Sequence, residues 1–181
     1  MNTVHPLKKK KQINDMKKAL GNPRDKMLFI FGINTGLRIS DILKLKVRDV
    51  RNKVSLTLQE TKTSKSKIVY FNDNVKEAVK TLMPSDANDD DYVFKSRKGN
   101  NKPLTRVQAY NILNGAAERV GIDQPIGCHT LRKTFGYWQY KNNNDISLLM
   151  AIFNHSSASV TLKYIGITED NIMASYKGVN L

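Results

Sequence analysis

F-N-H-S-S-A-S-V-T-L-K-Y-I-G-I, residues 153–167, brings a histidine, serines, a threonine and a tyrosine into one short stretch. Which of them works decides what kind of fold must hold the segment. Ser and His side by side suit a hydrolase. Yet Ser156 and Ser157 stand just ahead of a helical run, where a hydroxyl accepts from the unpaired N–H groups of the first turn, so they read as caps. The helix they open carries Tyr164, nine residues after His155 (164 − 155 = 9), enough for a turn and two helical turns. The tyrosine becomes the candidate working group.

Composition says what that group would meet. Lys and Arg number 30 against 16 Asp and Glu, a net charge of +14, which points to a polyanionic partner. Nucleic acid comes first and an anionic membrane second. The lysines are spread over the whole chain rather than along one amphipathic face, which disfavours the membrane. The longest apolar run, M-L-F-I-F-G-I at 27–33, falls far short of the roughly 20 residues of a spanning helix. A single cysteine, Cys128, allows neither an internal disulfide nor a thiolate zinc cage. The expectation is one soluble cytoplasmic domain with nucleic acid as its leading partner and no membrane, and nothing in the composition calls for a metal or a cofactor.

Periodicity gives a mainly helical α+β domain with one small antiparallel sheet. Residues 1–12, with Lys8, Lys9, Lys10 and Lys11, read as an extended basic arm, and 13–181 as the domain proper. Helices are expected over 12–20, 24–35, 40–45 (opened by Ser40), 73–82, 105–120, 131–140, 146–153, 159–164 and 168–176. K-V-S-L-T-L (53–58) and K-I-V-Y-F (67–71) alternate as strands, and E-T-K-T-S-K-S between them forms a basic hairpin tip with Lys62 and Lys65, Lys67 following. A second basic loop, S-R-K-G-N-N-K-P, presents Arg97 and Lys98.

Four spots carry chemistry: T-G-L-R-I-S-D (35–41), T-K-T (61–63), H-T-L-R (129–132) and the stretch ending in Tyr164. His129 and Arg132, three apart on a helix, share a face. The order Arg, Lys, His-x-x-Arg, His, Tyr, closed by N-H-S-S-x-x-x-T-x-x-Y, resembles the catalytic domain of the tyrosine recombinase (phage integrase) family over nearly the whole chain. The resemblance implies Arg38 and Arg132 as phosphate binders, Lys62 as the hairpin lysine, His129 and His155 as the two histidines, Tyr164 as nucleophile, and Asp41 as the acidic residue that commonly follows the first arginine. It also implies double-stranded DNA as partner and a C-terminal segment that docks on a neighbouring subunit, for which Ile172, Met173 and Tyr176 have suitable spacing.

The chemistry suits those residue types. A phosphodiester gains negative charge towards its pentavalent transition state, and planar guanidinium forks stabilise it. Only about one tyrosine in a thousand is phenolate at neutral pH, so the nucleophile needs a proton acceptor, for which His129 is placed best. The departing 5′ oxygen needs a proton, assigned to Lys62 with Lys65 and Lys67 as neighbours of the same type. His155 would hydrogen-bond the phosphate. Two other readings stay open: a DNA-binding or regulatory remnant without catalysis, and a type IB topoisomerase-like relaxing activity. The sequence departs from the family in having Asn154 where a glycine is usual before the second histidine; asparagine tolerates a left-handed backbone best among non-glycine residues. The family's usual N-terminal core-binding domain is not found in this chain.

Overall fold

The computed structural model describes residues 4–59 and 66–179. The chain runs α1 (Lys10–Ala19), α2 (Pro23–Thr35), α3 (Ile39–Ile42), α4 (Val47–Val50), β1 (Ser55–Gln59), β2 (Ser66–Tyr70), α5 (Asp73–Leu82), α6 (Arg106–Arg119), α7 (Cys128–Asn143), α8 (Ile146–Phe153), α9 (Ala158–Ile165) and α10 (Ile167–Gly178). It is the mainly helical α+β architecture expected, with one two-stranded antiparallel sheet.

Helix α2 is apolar nearly all round, from Met27 to Phe31, and so is buried all round. Asn22 caps it by accepting from the Arg24 and Asp25 amides, Pro23 stands at its start, and Gly36 ends it in a left-handed turn at φ 62°. It packs against α5 and α7. Gly32 permits the second contact, because a Cβ there would lie 2.5 Å from Leu131 Cδ1. A second core cluster unites Tyr137 of α7, Leu149 and Phe153 of α8, and Ile165 and Ile167 at the α9–α10 junction. In the sheet, Leu56 faces Val69 and both are buried, while Ile68 and Tyr70 of the other face are exposed.

Several boundaries differ from expectation. Ser40 does not cap: α3 begins after Arg38 and is only four residues long, with Ser40 inside its first turn. A second short helix, α4, follows, its Lys46 amide donating to Asp49 at 2.8 Å. Helix α7 starts at Cys128, three residues before the apolar periodicity, because Thr130 Oγ1 accepts from the Gly127 amide at 3.1 Å and fixes the start. Ser157, as expected, caps α9 by accepting from the Val160 amide.

The N-terminal segment lies on the domain. Leu7 is fully buried and its amide donates to Thr134 Oγ1 at 2.9 Å, while Trp138 Nε1 donates to the Leu7 carbonyl at 2.9 Å. Lys8 Nζ reaches Asp170 Oδ1 at 2.5 Å and the Gly166 carbonyl at 3.0 Å, fastening this segment to the start of α10. Lys10 and Lys11 already belong to α1, where Lys11 pairs with Asp15 at 2.7 Å.

Candidate active site

Three elements aim their side chains at one point. Gly36 turns the chain out of α2, Leu37 buries itself, and Arg38 is left exposed at the mouth of α3. The first turns of α7 supply His129, exposed, and Arg132, 6 % exposed. Cys128 between Gly127 and His129 points the other way into the core, burial pushing its thiol up, so no Cys-His pair forms. The turn from α8 into α9 supplies His155 and then Tyr164. Asn154 makes that turn in the left-handed conformation, φ 55° and ψ 48°.

Arg132 is fixed from behind. One guanidinium nitrogen donates to the Gly36 carbonyl and the other to the Phe153 carbonyl at 3.1 Å, and its carbon lies 4.3 Å from the Phe153 ring centroid. A buried cation is tolerated because these groups replace its water. It thereby joins the α2–α3 turn to the end of α8, and its charge bears on the phenol of Tyr164.

Tyr164 Oη stands 3.4 Å from His129 Nδ1. Burial holds the phenol above its ordinary pKa, opposed by the charges of Arg132 and Arg38, so the resting group is the neutral phenol. Burial first, and then Arg106, Arg132, Lys133 and Arg38, hold His129 below the ordinary histidine range. A neutral imidazole beside a neutral phenol is a proton acceptor in place.

His155 Nδ1 lies 3.0 Å from Thr161 Oγ1, and that hydroxyl donates to the Ser157 carbonyl at 3.1 Å. The Thr161 proton is thus engaged, which assigns the donor role to His155 Nδ1 and leaves Nε2 outward. Burial, Arg132 and Arg38 hold this histidine low as well. Its ring meets Tyr164 edge-on with centroids 5.2 Å apart, and Phe153 meets Tyr164 likewise at 5.6 Å.

The other sequence candidates fall as follows. Asp41, on α3, accepts from Ser40 Oγ at 3.4 Å, and its charge bears on Arg132. Lys62 and Lys65 lie outside the described residues. Lys67 donates to the Ile152 carbonyl and ties β2 to the turn before His155. Lys8 is engaged with Asp170, whereas Lys9, Arg97 and Lys98 are exposed. Among the described residues, no group of three or more His, Cys, Asp or Glu is placed to hold a metal ion, and no helix is long and apolar enough to cross a membrane.

Three residues of the site had no role in the sequence reading. Thr161 was visible as the threonine three before Tyr164, without its function of orienting His155. Arg106, at the start of α6, adds its charge to His129. Lys133 lies with Nζ 5.1 Å from the Tyr164 ring centroid and donates to the Val4 carbonyl at 2.8 Å. Neither of the last two stands at a spacing that singles it out.

Known proteins resemble this chain in sequence and in fold. The model of the phage integrase family matches residues 7–170. A probable integrase/recombinase, YoeC, of Bacillus subtilis (strain 168) is 46 % identical over 179 residues, 98 % of this chain and 97 % of that protein. The tyrosine recombinase XerD of Corynebacterium glutamicum is 30 % identical over 162 residues, and there the match covers 87 % of this chain but 53 % of the relative, so the chain spans about half the length of such recombinases. Among solved structures, the XerA recombinase superposes with a TM-score of 0.76 at 20 % identity, over 98 % of this chain and 66 % of that one. The catalytic domain of bacteriophage HP1 integrase gives 0.65 at 22 % identity, over 96 % and 94 %. With two arginines and two histidines set around one tyrosine on the fold of those domains, the chain belongs to the phage integrase family and is a tyrosine recombinase catalytic domain.

Proposed function

We propose that this chain breaks and rejoins DNA strands, with Tyr164 attacking the scissile phosphate to form a 3′-phosphotyrosyl bond and release a 5′ hydroxyl. The observation that carries it is the Tyr164 hydroxyl 3.4 Å from a proton acceptor, His129, in the field of a buried, fixed cation, Arg132. Phosphate oxygens would lie between Arg38 and Arg132. His129 takes the phenol proton as the O–P bond forms. His155, whose Nδ1 is engaged with Thr161, donates to phosphate through Nε2 only when protonated, and an arriving phosphate raises its pKa towards that state. Lys62 protonates the leaving oxygen. Rejoining by a 5′ hydroxyl reverses each step, and because the phosphotyrosyl bond conserves the phosphodiester energy, neither ATP nor a metal ion enters the scheme.

Exposed Lys9, Arg97 and Lys98 supply phosphate contacts away from the site, and the place of action is the cytoplasm, with the DNA. On α10, Ile172 and Met173 are each 54 % exposed and Tyr176 81 %, an apolar stripe that supports docking on a second subunit bound to the same DNA. The test is a nicked duplex that loses the 5′ product and traps the adduct. The wild-type chain forms an SDS-stable protein–DNA adduct that excess EDTA does not diminish, and Tyr164→Phe binds the same duplex and forms none. An equal adduct from Tyr164→Phe would move the nucleophile elsewhere. Strand exchange between two sites, rather than plasmid relaxation alone, marks recombination.

A further inference from the structure

The residue after Arg132 is a lysine whose surroundings the strand-cleavage scheme does not use. Lys133 is half-buried, and burial holds its ammonium below the ordinary lysine range, opposed by the charge of Glu169. Its Nζ donates to the Val4 carbonyl at 2.8 Å and lies 5.1 Å from the centroid of the Tyr164 ring. A cleft lined by His5, Pro6, Lys133, Lys163, Tyr164 and Glu169 opens on that side of the ring. A half-buried ammonium with one carbonyl partner and an aromatic ring nearby is oriented by both, and it attracts that ring most strongly when the ring is electron-rich.

We propose that Lys133 is a positioning residue for the nucleophile, its ammonium braced on the Val4 carbonyl so that the Tyr164 ring is clamped with its hydroxyl towards His129 and Arg132. The clamp has two sides. Phe153 and His155 meet the ring edge-on at 5.6 and 5.2 Å, and Lys133 adds a cation at 5.1 Å. One partner, Val4, belongs to the N-terminal segment, which Lys8 ties to Asp170 and where His5 Nδ1 lies 3.9 Å from Glu169. The position of that segment therefore sets the position of the cation, and through it the ring.

The inference rests on the strand-cleavage reading, and it adds an electrostatic consequence. Attack turns the phenol into an electron-rich phenolate-like group, which a nearby cation favours over the neutral ring. The charged and titratable groups around Tyr164 are His129, Arg132 and Lys133 from α7, Arg38 from the α2–α3 turn, His155 before α9, Lys163 of α9 itself, Glu169 of α10 and His5 of the N-terminal segment. Substituting Lys133 changes only one of them.

Two variants separate charge from packing: Lys133→Met keeps the aliphatic stem, and Lys133→Arg keeps the cation. Each is assayed for binding and SDS-stable adduct on the nicked duplex. Each is also made with 3-fluorotyrosine at position 164, whose phenol ionises at lower pH than tyrosine's and is followed by fluorine NMR without DNA. Lys133→Met is expected to bind within about twofold of wild type and form adduct about tenfold more slowly. Its fluorophenol midpoint should rise by about half a unit, roughly threefold in phenolate fraction, and Lys133→Arg should recover most of both losses. An unmoved midpoint, or an unchanged adduct rate in Lys133→Met, overturns the proposal. Equal slowing in both variants with no shift in midpoint makes Lys133 a packing residue only, which also overturns it. Absence of adduct from the wild-type chain sinks the strand-cleavage reading, and the fluorotyrosine titration still decides the role of Lys133.

Discussion

Gly136 is where the fold and the proposed nucleophile meet. It lies in α7 against the α8–α9 layer, and a Cβ there would stand 2.7 Å from Ile165 Cγ2 and 2.7 Å from two carbons of the Phe153 ring. Ordinary carbon contacts are about 3.5–4.0 Å, so Gly136→Ala must open the gap by about 1 Å. Ile165 and Phe153 are themselves fully buried and have nowhere to swing. Overpacking of this kind costs about 1–3 kcal/mol, and the site belongs in the upper half of that range. Against this, alanine in a helix interior gains about 1 kcal/mol over glycine. The net loss is about 1–2 kcal/mol, a fall in Tm of about 3–6 °C for a chain of this size. Function suffers more, because Ile165 is the neighbour of Tyr164, and a 1 Å misplacement of a reacting group costs on the order of 100-fold in rate. The control is Gly115→Ala in α6, where the new Cβ meets only an Arg119 side-chain nitrogen at 3.5 Å, and stability should rise by about 0.4–1 kcal/mol. Urea melts and adduct formation on the nicked duplex measure both. Equal stability and equal rate for the two variants would refute the reasoning, since it would mean that α7 and α9 part without consequence.

Lys62→Ala should lose cleavage on ordinary DNA and regain most of it on a substrate with a 5′-thiolate leaving group, which needs no proton; rescue of Lys65→Ala instead, with none for Lys62→Ala, reassigns the acid. Stability should fall on acidification below about pH 6.5, because His129 and His155 are held low in the folded protein while unfolded histidine takes up protons from its ordinary pKa downward. The unfolded state binds more protons in that window, so the stabilisation is full above it and declines as pH falls towards the depressed folded values. Urea midpoints at pH 7.5 and 5.5 report it, and a drop unchanged in His129→Gln would remove that residue from the effect. Asn154→Gly should leave stability unchanged or raise it by a few tenths of a kcal/mol, since the residue sits at φ 55°, while Asn154→Ala should lose about 1 kcal/mol by thermal melt; equal melts for the two would deny that the left-handed turn matters.

The division between what the sequence revealed and what it hid follows from the range of each interaction. Helices α2, α5, α6 and α8 were legible because apolar spacing is local, and the caps that the structure adds, Asn22, Asn72, Thr105 with Gln108, and Asp145, also lie within three residues of the amides they satisfy. The short α3 was read as a longer helix over 40–45 and α4 was not read at all, because four-residue helices have no periodicity to detect and their geometry is set by contacts such as the Val47 amide on the Asp91 carbonyl at 2.9 Å. In the site, Arg38, His129, Arg132, His155 and Tyr164 were legible as an ordered set of residue types. What fixes them was not, because Arg132 is braced by Gly36 and Phe153, 96 and 21 residues away. The same holds for Lys133, whose two partners lie at Val4 and Tyr164.

That distribution bears on how the site works. Arg132 takes one carbonyl from the α2–α3 turn that also presents Arg38, and another from the end of α8 just before the turn that presents Asn154 and His155. A phosphate bound between Arg38 and Arg132 would therefore pull on the elements that carry Arg38, His155 and Tyr164 through a single guanidinium. Lys67, on the Ile152 carbonyl next to Phe153, joins the hairpin to the same turn. Strand β2 is thus joined through one residue to the end of α8, next to the turn that presents His155. Buried polar groups in such a network are costly when only half are satisfied. Among the described residues, no buried side-chain nitrogen or oxygen lacks a partner. The free protein thus holds Arg132 and His155 by internal bonds, a preorganised framework of the kind the strand-cleavage scheme proposed above would use.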